Sequence, residues 1–228
     1  MNKKMGVIIV GILMVAVIIG ILVYQTPNIK QQNEKVFVIG MDDSFPPMGF
    51  RNENNELVGF DIDVANEVCK KLGWKLKVQP ISWAAKEQEL DSGNIDCIWN
   101  GFGYTEERAK VMTLSEIYLK GGTMFVVNPD SGYSEQAQLK GKKIGIQTGS
   151  TQEEDLENAT FGKEVGEIVR YSDYLTALMD LETGNIDAVY MSKITGNYII
   201  KSKNKKFITF DSERINNSRG MTIAFKKG

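Results

Sequence analysis

Histidine is absent from the whole of the 228-residue chain. That removes the commonest general base, the commonest metal ligand and any histidine-based triad, so hydrolytic and zinc chemistry start at a disadvantage. Cysteine is limited to Cys69 and Cys97. One sits on the apolar side of an expected helix and the other inside an expected strand, positions that suit small buried apolar residues better than ligands or nucleophiles. Spacing alone leaves a disulfide between them open. Excess charge is missing too: 27 Lys and Arg against 29 Asp and Glu leave a net charge of −2, without the basic footprint of a nucleic-acid binder. No phosphate-binding loop ending in glycine, lysine and a hydroxyl residue occurs, and Gly101–Phe102–Gly103 is too short for a dinucleotide fingerprint. No cofactor and no metal are expected.

What remains is the composition of an ordinary soluble core, 42% hydrophobic and 25% charged, long enough for one or two domains. It is preceded by Lys3, Lys4 and an uncharged run of twenty residues from Met5 to Tyr24. The run is long enough to span a bilayer, whereas the apolar core of a cleaved signal has ~7 to 15 residues. Residues 1–24 are therefore expected to be an uncleaved anchor with the lysines inside and the rest outside the cell membrane, a cleaved signal being the alternative. The polar stretch 25–35, with Pro27, reads as a tether.

From Val36 onward the pattern alternates strand and helix. Strands are expected at 36–41, 74–79, 95–99, 143–147, 168–171, 186–191 and 207–210, with helices between them, as in a mostly parallel sheet covered on both faces. Extended runs at Gly122–Asn128 and Gly220–Lys226 read as two crossings between lobes. The expected organisation is a first lobe of 36–126 plus 218–228 and a second of 127–217. Two such crossings make a hinge, and the crevice between lobes can close on something small.

An internal echo supports two similar lobes. Leu90–Trp99 reads LDSGNIDCIW and Leu181–Tyr190 reads LETGNIDAVY. In each, a helix ends on glycine after an acidic turn and a buried strand follows. Taken singly, GNID is simply a common way to leave a helix for a strand; two copies in matching order argue for a repeated unit.

The first copy runs into Asn100, Gly101 and an arginine-bearing turn, Thr105–Ala109, where a sheet of this type binds ligands. Arg108 offers a planar donor fork suited to a carboxylate. Gly149, Ser150 and Thr151 precede a helix, so free N–H groups and the positive dipole end would face the same crevice. The alternative is that Arg108 pairs with Glu106, Glu107 or Glu116 on a solvated face and Ser150 or Thr151 merely caps a helix. Phe45 and Trp83 follow strands on one side of the first sheet and either sandwich a ligand or belong to the core. Asp42 and Asp43 are candidates for a polar contact.

The segments DDSFPPMGF, VGFDIDVANEVCKKLGW, IDCIWNGFGYTEERAKVMTLSEIYLKGG, GIQTGSTQ and LETGNIDAVY together resemble the amino-acid-binding extracellular solute receptors of ABC importers, from about Val36 to the C-terminus. The resemblance implies an α/β, two-lobed, periplasmic-binding-protein-like type II fold with two hinge crossings. It implies a monomer without catalysis that hands a free amino acid to an ABC-type membrane permease. By position, Arg108 and Thr151 would take the α-carboxylate, Asn100, Gly101 and Gly103 would line the amino side, and Phe45 and Trp83 would flank the side chain. Three departures stand out. Where the family places an aspartate for the α-ammonium this chain has Ser192, and a hydroxyl position of the family falls at Gly103. Family members also continue past the equivalent of Lys226 with helices that complete the first lobe, so the first sheet is expected to expose apolar surface. Rival readings are a membrane-tethered sensor domain, a degenerate paralogue that binds nothing, and a dehydratase-like enzyme acting through Asp42, Asp43 or Glu153.

Overall fold

The computed structural model describes residues 34–212 and 220–228. The expected anchor at 1–24 and most of the 25–35 tether lie outside the described residues. Among those described, no helix is long and apolar enough to cross a membrane.

The chain begins with strand β1 (Val36–Met41) and then folds the DDSFPPMGF loop and its continuation into a small antiparallel sheet, β2 (Ser44–Phe45), β3 (Gly49–Arg51) and β4 (Leu57–Val58). Helix α1 (Phe60–Leu72) buries Ile62, Ala65 and Cys69 on one stripe and stops at Gly73, which is left-handed (φ 67°) and donates to the last carbonyls. Next come β5 (Lys75–Pro80), a single 3-10 turn at Trp83–Ala85, α2 (Lys86–Ser92) and β6 (Cys97–Gly103). Strand β6 does not stop at Asn100 as expected: its antiparallel neighbour pairs Met221 with Gly103 and Thr222 with Phe102, which carries the strand through both glycines. Helix α3 (Glu106–Val111) is capped by the Thr105 hydroxyl, and β7 (Met112–Leu114) follows.

The second half contributes β8 (Thr123–Val127), β9 (Lys143–Gln147), α4 (Thr151–Asn158), β10 (Glu167–Tyr171), α5 (Tyr174–Glu182), β11 (Ala188–Ser192), α6 (Lys193–Ser202), β12 (Ile208–Asp211) and finally β13 (Met221–Lys226). The strands form two five-stranded sheets, ordered β5-β1-β6-β13-β7 and β10-β9-β11-β8-β12. Both have the same plan, with the first three strands parallel and the last two joined antiparallel. The expected lobe boundary at residue 126 falls inside β8, which pairs only with β11 and β12 of the second sheet. The first crossing therefore precedes Thr123.

The two GNID copies are equivalent atom for atom. Gly93 and Gly184 both take the left-handed conformation that ends their helices (φ 78° and 76°). Asp96 and Asp187 each accept from a main-chain amide of the neighbouring parallel strand, Val38 N, third in β1, at 2.6 Å and Lys143 N, first in β9, at 2.8 Å. Ile95 and Ile186 each pack over a glycine of that strand, Gly40 and Gly145, where a Cβ would meet the isoleucine Cδ1 at 2.4 and 2.6 Å. Each copy thus fixes the register of the central strand of its own sheet.

Both cysteines are buried and unpaired. Cys69 and Cys97 pack with Phe37, Ile39, Ala65 and Trp99 between α1 and the first sheet. The expected bare apolar face of this sheet is only partly found among the described residues: Ala224 is fully buried, while Ile223 and Phe225 are half-buried against the same cluster. A separate cluster joins the sheets, with Phe45, Met48 and Met221 packed on Met124, Tyr174 and Met191.

Candidate functional site

The carboxyl ends of β1, β6, β9 and β11 converge on two small spaces that share the walls Phe45, Gly101, Gly103, Thr151 and Gln152. The first, about 20 Å³, is completed by Asp42, Trp83, Asn100, Arg108, Gln147 and Ser150. The second, about 50 Å³, is completed by Ser192, Thr123, the glycines 121, 122 and 220, and Met221. Of the residues singled out from the sequence, Arg108, Thr151, Ser150, Asn100, Gly101, Gly103, Phe45, Trp83, Asp42 and Ser192 line one space or both, and Asp43 and Gly149 line neither. Their combined room admits water but is far below the ~300 Å³ lower bound of small-molecule pockets; the lobes are closed on each other.

Arg108 is 5% exposed and turned inward. The Thr105 hydroxyl caps the helix start at the Arg108 amide, and the side chain crosses the Phe102 ring, whose centre is 4.4 Å from the guanidinium carbon. Its Nη1 donates to Gly103 O at 3.2 Å, and its Nη2 to Gly149 O at 3.2 Å. Nε and Nη2 both reach Glu154 Oε1, at 3.0 and 2.6 Å. The carboxylate partner is therefore Glu154 on α4 of the other lobe, and none of the local candidates Glu106, Glu107 and Glu116. Glu154 is 39% exposed on its side chain, so the pair is worth about 1 kcal/mol at most.

Ser150 is the N-cap of α4: its hydroxyl accepts from Glu153 N at 3.2 Å and donates to Gln147 O at 2.6 Å. Its capping role is met, while the start of the helix, with Thr151, still faces the cavity. The Gly149 amide that was expected to be free donates instead to Glu153 Oε2 at 2.6 Å. Asn100 is likewise committed, its carboxamide lying between Asp42 O at 3.3 Å and Gly49 N at 3.2 Å.

Asp42 is buried, and burial pushes its carboxyl above the usual range against the pull of donors from Ser44 and Gln147. Oδ1 accepts from Ser44 N and Oγ, at 2.9 and 2.5 Å; Oδ2 accepts from Gln147 Nε2 of the other lobe at 2.5 Å. Asp43 turns away from the cavity to pair with Arg51 at 2.6 Å. Glu153 is held by Arg170 and the Gly149 amide. The three carboxylates that an enzymatic reading required are thus bound in structural contacts, and only Asp42 faces the cavity.

Gly101 has φ +58°, and a Cβ there would stand 2.7 Å from the Phe45 ring. Its amide is fixed by Asp61 Oδ2 at 2.7 Å, while Oδ1 accepts from the Tyr118 hydroxyl at 2.9 Å. Asp61 is fully buried, and desolvation outweighs both donors, raising its carboxyl from 3.8 to about 6. The folded chain therefore keeps a proton on Asp61 in a range where the unfolded chain has released it. Its contribution to stability is full below pH 3.8 and is lost as pH rises through about 6. The loss is on the order of 3 kcal/mol. Asp61→Asn is expected to flatten this limb of the stability curve, which denaturant melts of parent and variant between about pH 4 and 7 measure; parallel curves would refute it.

Ser192 ends β11 and is 6% exposed; its Oγ has no hydrogen-bond partner among the described residues. Sequence reasoning missed Gln147 and Gln152, the second-space walls Thr123, Met221 and the glycines 121, 122 and 220, and, beside the cavity, Glu154 and Lys86. Gln147 ends a parallel strand and Gln152 opens a helix, signals that could have marked them. Lys86 Nζ reaches across to Gly149 O at 2.8 Å from beside the Trp83 ring, and Glu154 meets Arg108; no local pattern encodes either contact. A roomier groove, about 520 Å³, lies at the opposite end of the second sheet beside Asn128 and Asp187. It sits at the amino ends of the strands, where Asp187 already serves the Lys143 amide, and it is not where such sheets bind ligands.

Known proteins are similar to this chain over most of its length. The model of the bacterial extracellular solute-binding proteins, family 3, matches residues 37–210. The L-cystine-binding protein of Escherichia coli K12 is 28% identical over 202 residues, covering 86% of this chain and 75% of that protein. An arginine-binding extracellular protein of Bacillus subtilis is 28% identical over 202 residues, covering 87% and 77%. Among solved structures, the substrate-binding protein of an ABC uptake transporter from Streptococcus pneumoniae with bound histidine superposes with a TM-score of 0.79 at 32% identity, covering 87% of this chain and 82% of that one.

Proposed function

Since the chain belongs to the bacterial extracellular solute-binding proteins of family 3, and is thus a binder and not an enzyme, we propose that it captures a free amino acid between its lobes for an ABC-type importer. The observation that carries this reading is that Arg108 of one lobe and the Thr151 turn of the other line a single buried space. A carboxylate held there accepts charge-assisted bonds from the guanidinium and lies at the positive end of α4. Asn100, Gly101 and Gly103 stand on the amino side, and Phe45 and Trp83 flank the side chain. The relatives named for cystine and arginine, and the structure holding histidine, support the ligand class. In this reading residues 1–24 hold the protein, as a monomer, at the outer face of the cell membrane, where it meets the permease.

The lobes separate to admit the ligand, since the closed space is too small for it. Closing without ligand is held by contacts the ligand must break, chiefly Arg108 with Glu154. A thermal-shift screen over the amino acids and simple carboxylates tests the reading. At least one ligand is expected to raise the melting temperature; a flat screen confirmed by flat titration heats would end it. Glu154→Gln removes the competing carboxylate and is expected to tighten the ligand found by about threefold to fivefold, from the ~1 kcal/mol of an exposed pair. Titration of parent and variant measures this, and equal affinity would mean that Glu154 and ligand do not compete.

A further inference from the structure

Lys86 opens α2 and is 2% exposed, as buried as the core around it. Its Nζ lies 2.8 Å from Gly149 O, 2.9 Å from Glu87 Oε1 and 5.3 Å from the centre of the Trp83 ring. Arg108 Nη2 donates to the same Gly149 oxygen at 3.2 Å. Two cations from different elements of the first lobe therefore converge on one neutral carbonyl at the mouth of α4, within two hydrogen-bond lengths of each other.

Each cation also has a carboxylate, but the two kinds of partner are not alike. Arg108 and Lys86 are 6% and 2% exposed on their side chains, whereas Glu154 and Glu87 are 39% and 41% exposed. The carboxylates can swing into water at little cost. The cations cannot, because Trp83, Phe102 and the strand ends enclose them, and a buried charge without an anion is costly. Positive charge is thus enclosed at the cleft, Arg108 in its wall and Lys86 directly behind Trp83 and Gly149, and negative charge only leans on it. Asp42, the one acidic side chain among the described residues that lines the cavity, already has both oxygens engaged by Ser44 and Gln147. At the position facing a ligand's amino group the chain offers Ser192, which has no charge.

We propose that Lys86 is a second ligand-binding cation, and that the ligand carries two acidic groups, one on Arg108 and one on Lys86, as in a short dicarboxylate or an acidic amino acid. This rests on the cleft reading above. The ligand's far carboxylate would lie against the Trp83 ring and displace Glu87, as its near one displaces Glu154.

The test is calorimetric titration of the full chain with glutarate, L-glutamate, L-aspartate, L-alanine and L-arginine, repeated with Lys86→Met, Lys86→Arg and Arg108→Ala. The diacids are expected to bind the parent at least about tenfold more tightly than L-alanine or L-arginine. Lys86→Met should weaken the diacids by about tenfold to a hundredfold, the range of one charge-assisted bond, and leave L-alanine within about threefold. Lys86→Arg should restore most of the diacid affinity. Diacids no tighter than L-alanine in the parent would overturn the proposal, and this comparison needs no variant to fold. Equal weakening of every ligand by Lys86→Met would overturn it too, since that marks a latch between lobes. Diacid binding untouched by Arg108→Ala would instead overturn the cleft reading and the proposal with it. Glutarate against L-glutamate separates a plain diacid from an acidic amino acid.

Discussion

Arg108→Ala is expected to abolish the ligand-induced rise in melting temperature and to weaken binding about a hundredfold or more, the loss of two charge-assisted bonds. Among the described residues no other guanidinium lines the cavity; Lys86 lies beside its first space, and Lys193 packs against Gly122 at the second. The same substitution leaves Gly103 O and Glu154 without the guanidinium donor and Gly149 O with Lys86 Nζ alone. Glu154 can turn to water, but the carbonyls are partly enclosed, so the ligand-free melting temperature should fall modestly as well. Loss of binding and loss of stability are separable by Arg108→Lys, which keeps the charge and loses the fork. It should recover most of the stability and only part of the affinity. Thermal shift and titration of the three proteins, side by side, make the measurement; an alanine variant that keeps the full ligand shift would show that the anion is held elsewhere.

Ser192→Asp is expected to act in the opposite direction. The residue ends a buried strand, lines the 50 Å³ space and has a hydroxyl without a partner among the described residues, so a carboxylate placed there would meet an α-ammonium brought in beside Gly101 and Gly103. A charge-assisted bond to an ammonium corresponds to about a tenfold to hundredfold gain. The gain belongs only to ligands that have an amino group: L-glutamate should tighten and glutarate should not. Without ligand the new carboxylate is buried and lacks a cation, which lowers stability, while its place at the start of α6 offsets part of that cost. Titration with each amino acid and its deaminated analogue distinguishes this from a general effect. Equal changes for both members of a pair would show that the amino group does not approach residue 192.

Much of the architecture was readable from local pattern. The GNID copies, the alternating strands and helices, and the glycine stops at 93 and 184 depend on turns and periodicities within a few residues, and the folded chain realises each of them. Arg108, Thr151 and the other expected site residues were legible because parallel sheets expose the carboxyl ends of their strands, so position in sequence determines which residues reach the crevice. The run of β6 through Gly103 and the membership of β8 in the second sheet were not legible, since both follow from pairing with strands far along the chain.

The sequence by itself determined which residues face the cleft: two equivalent lobes, an arginine fork on one and a helix start on the other. Only the tertiary structure decided what those residues touch. Glu154 rather than a neighbouring glutamate holds Arg108, Gln147 holds Asp42, and Lys86 shares Gly149 O with the guanidinium. Each of these bonds joins residues more than forty positions apart across the closing lobes. Its partner is set by how two separately folded sheets meet, a geometry that no short-range pattern carries.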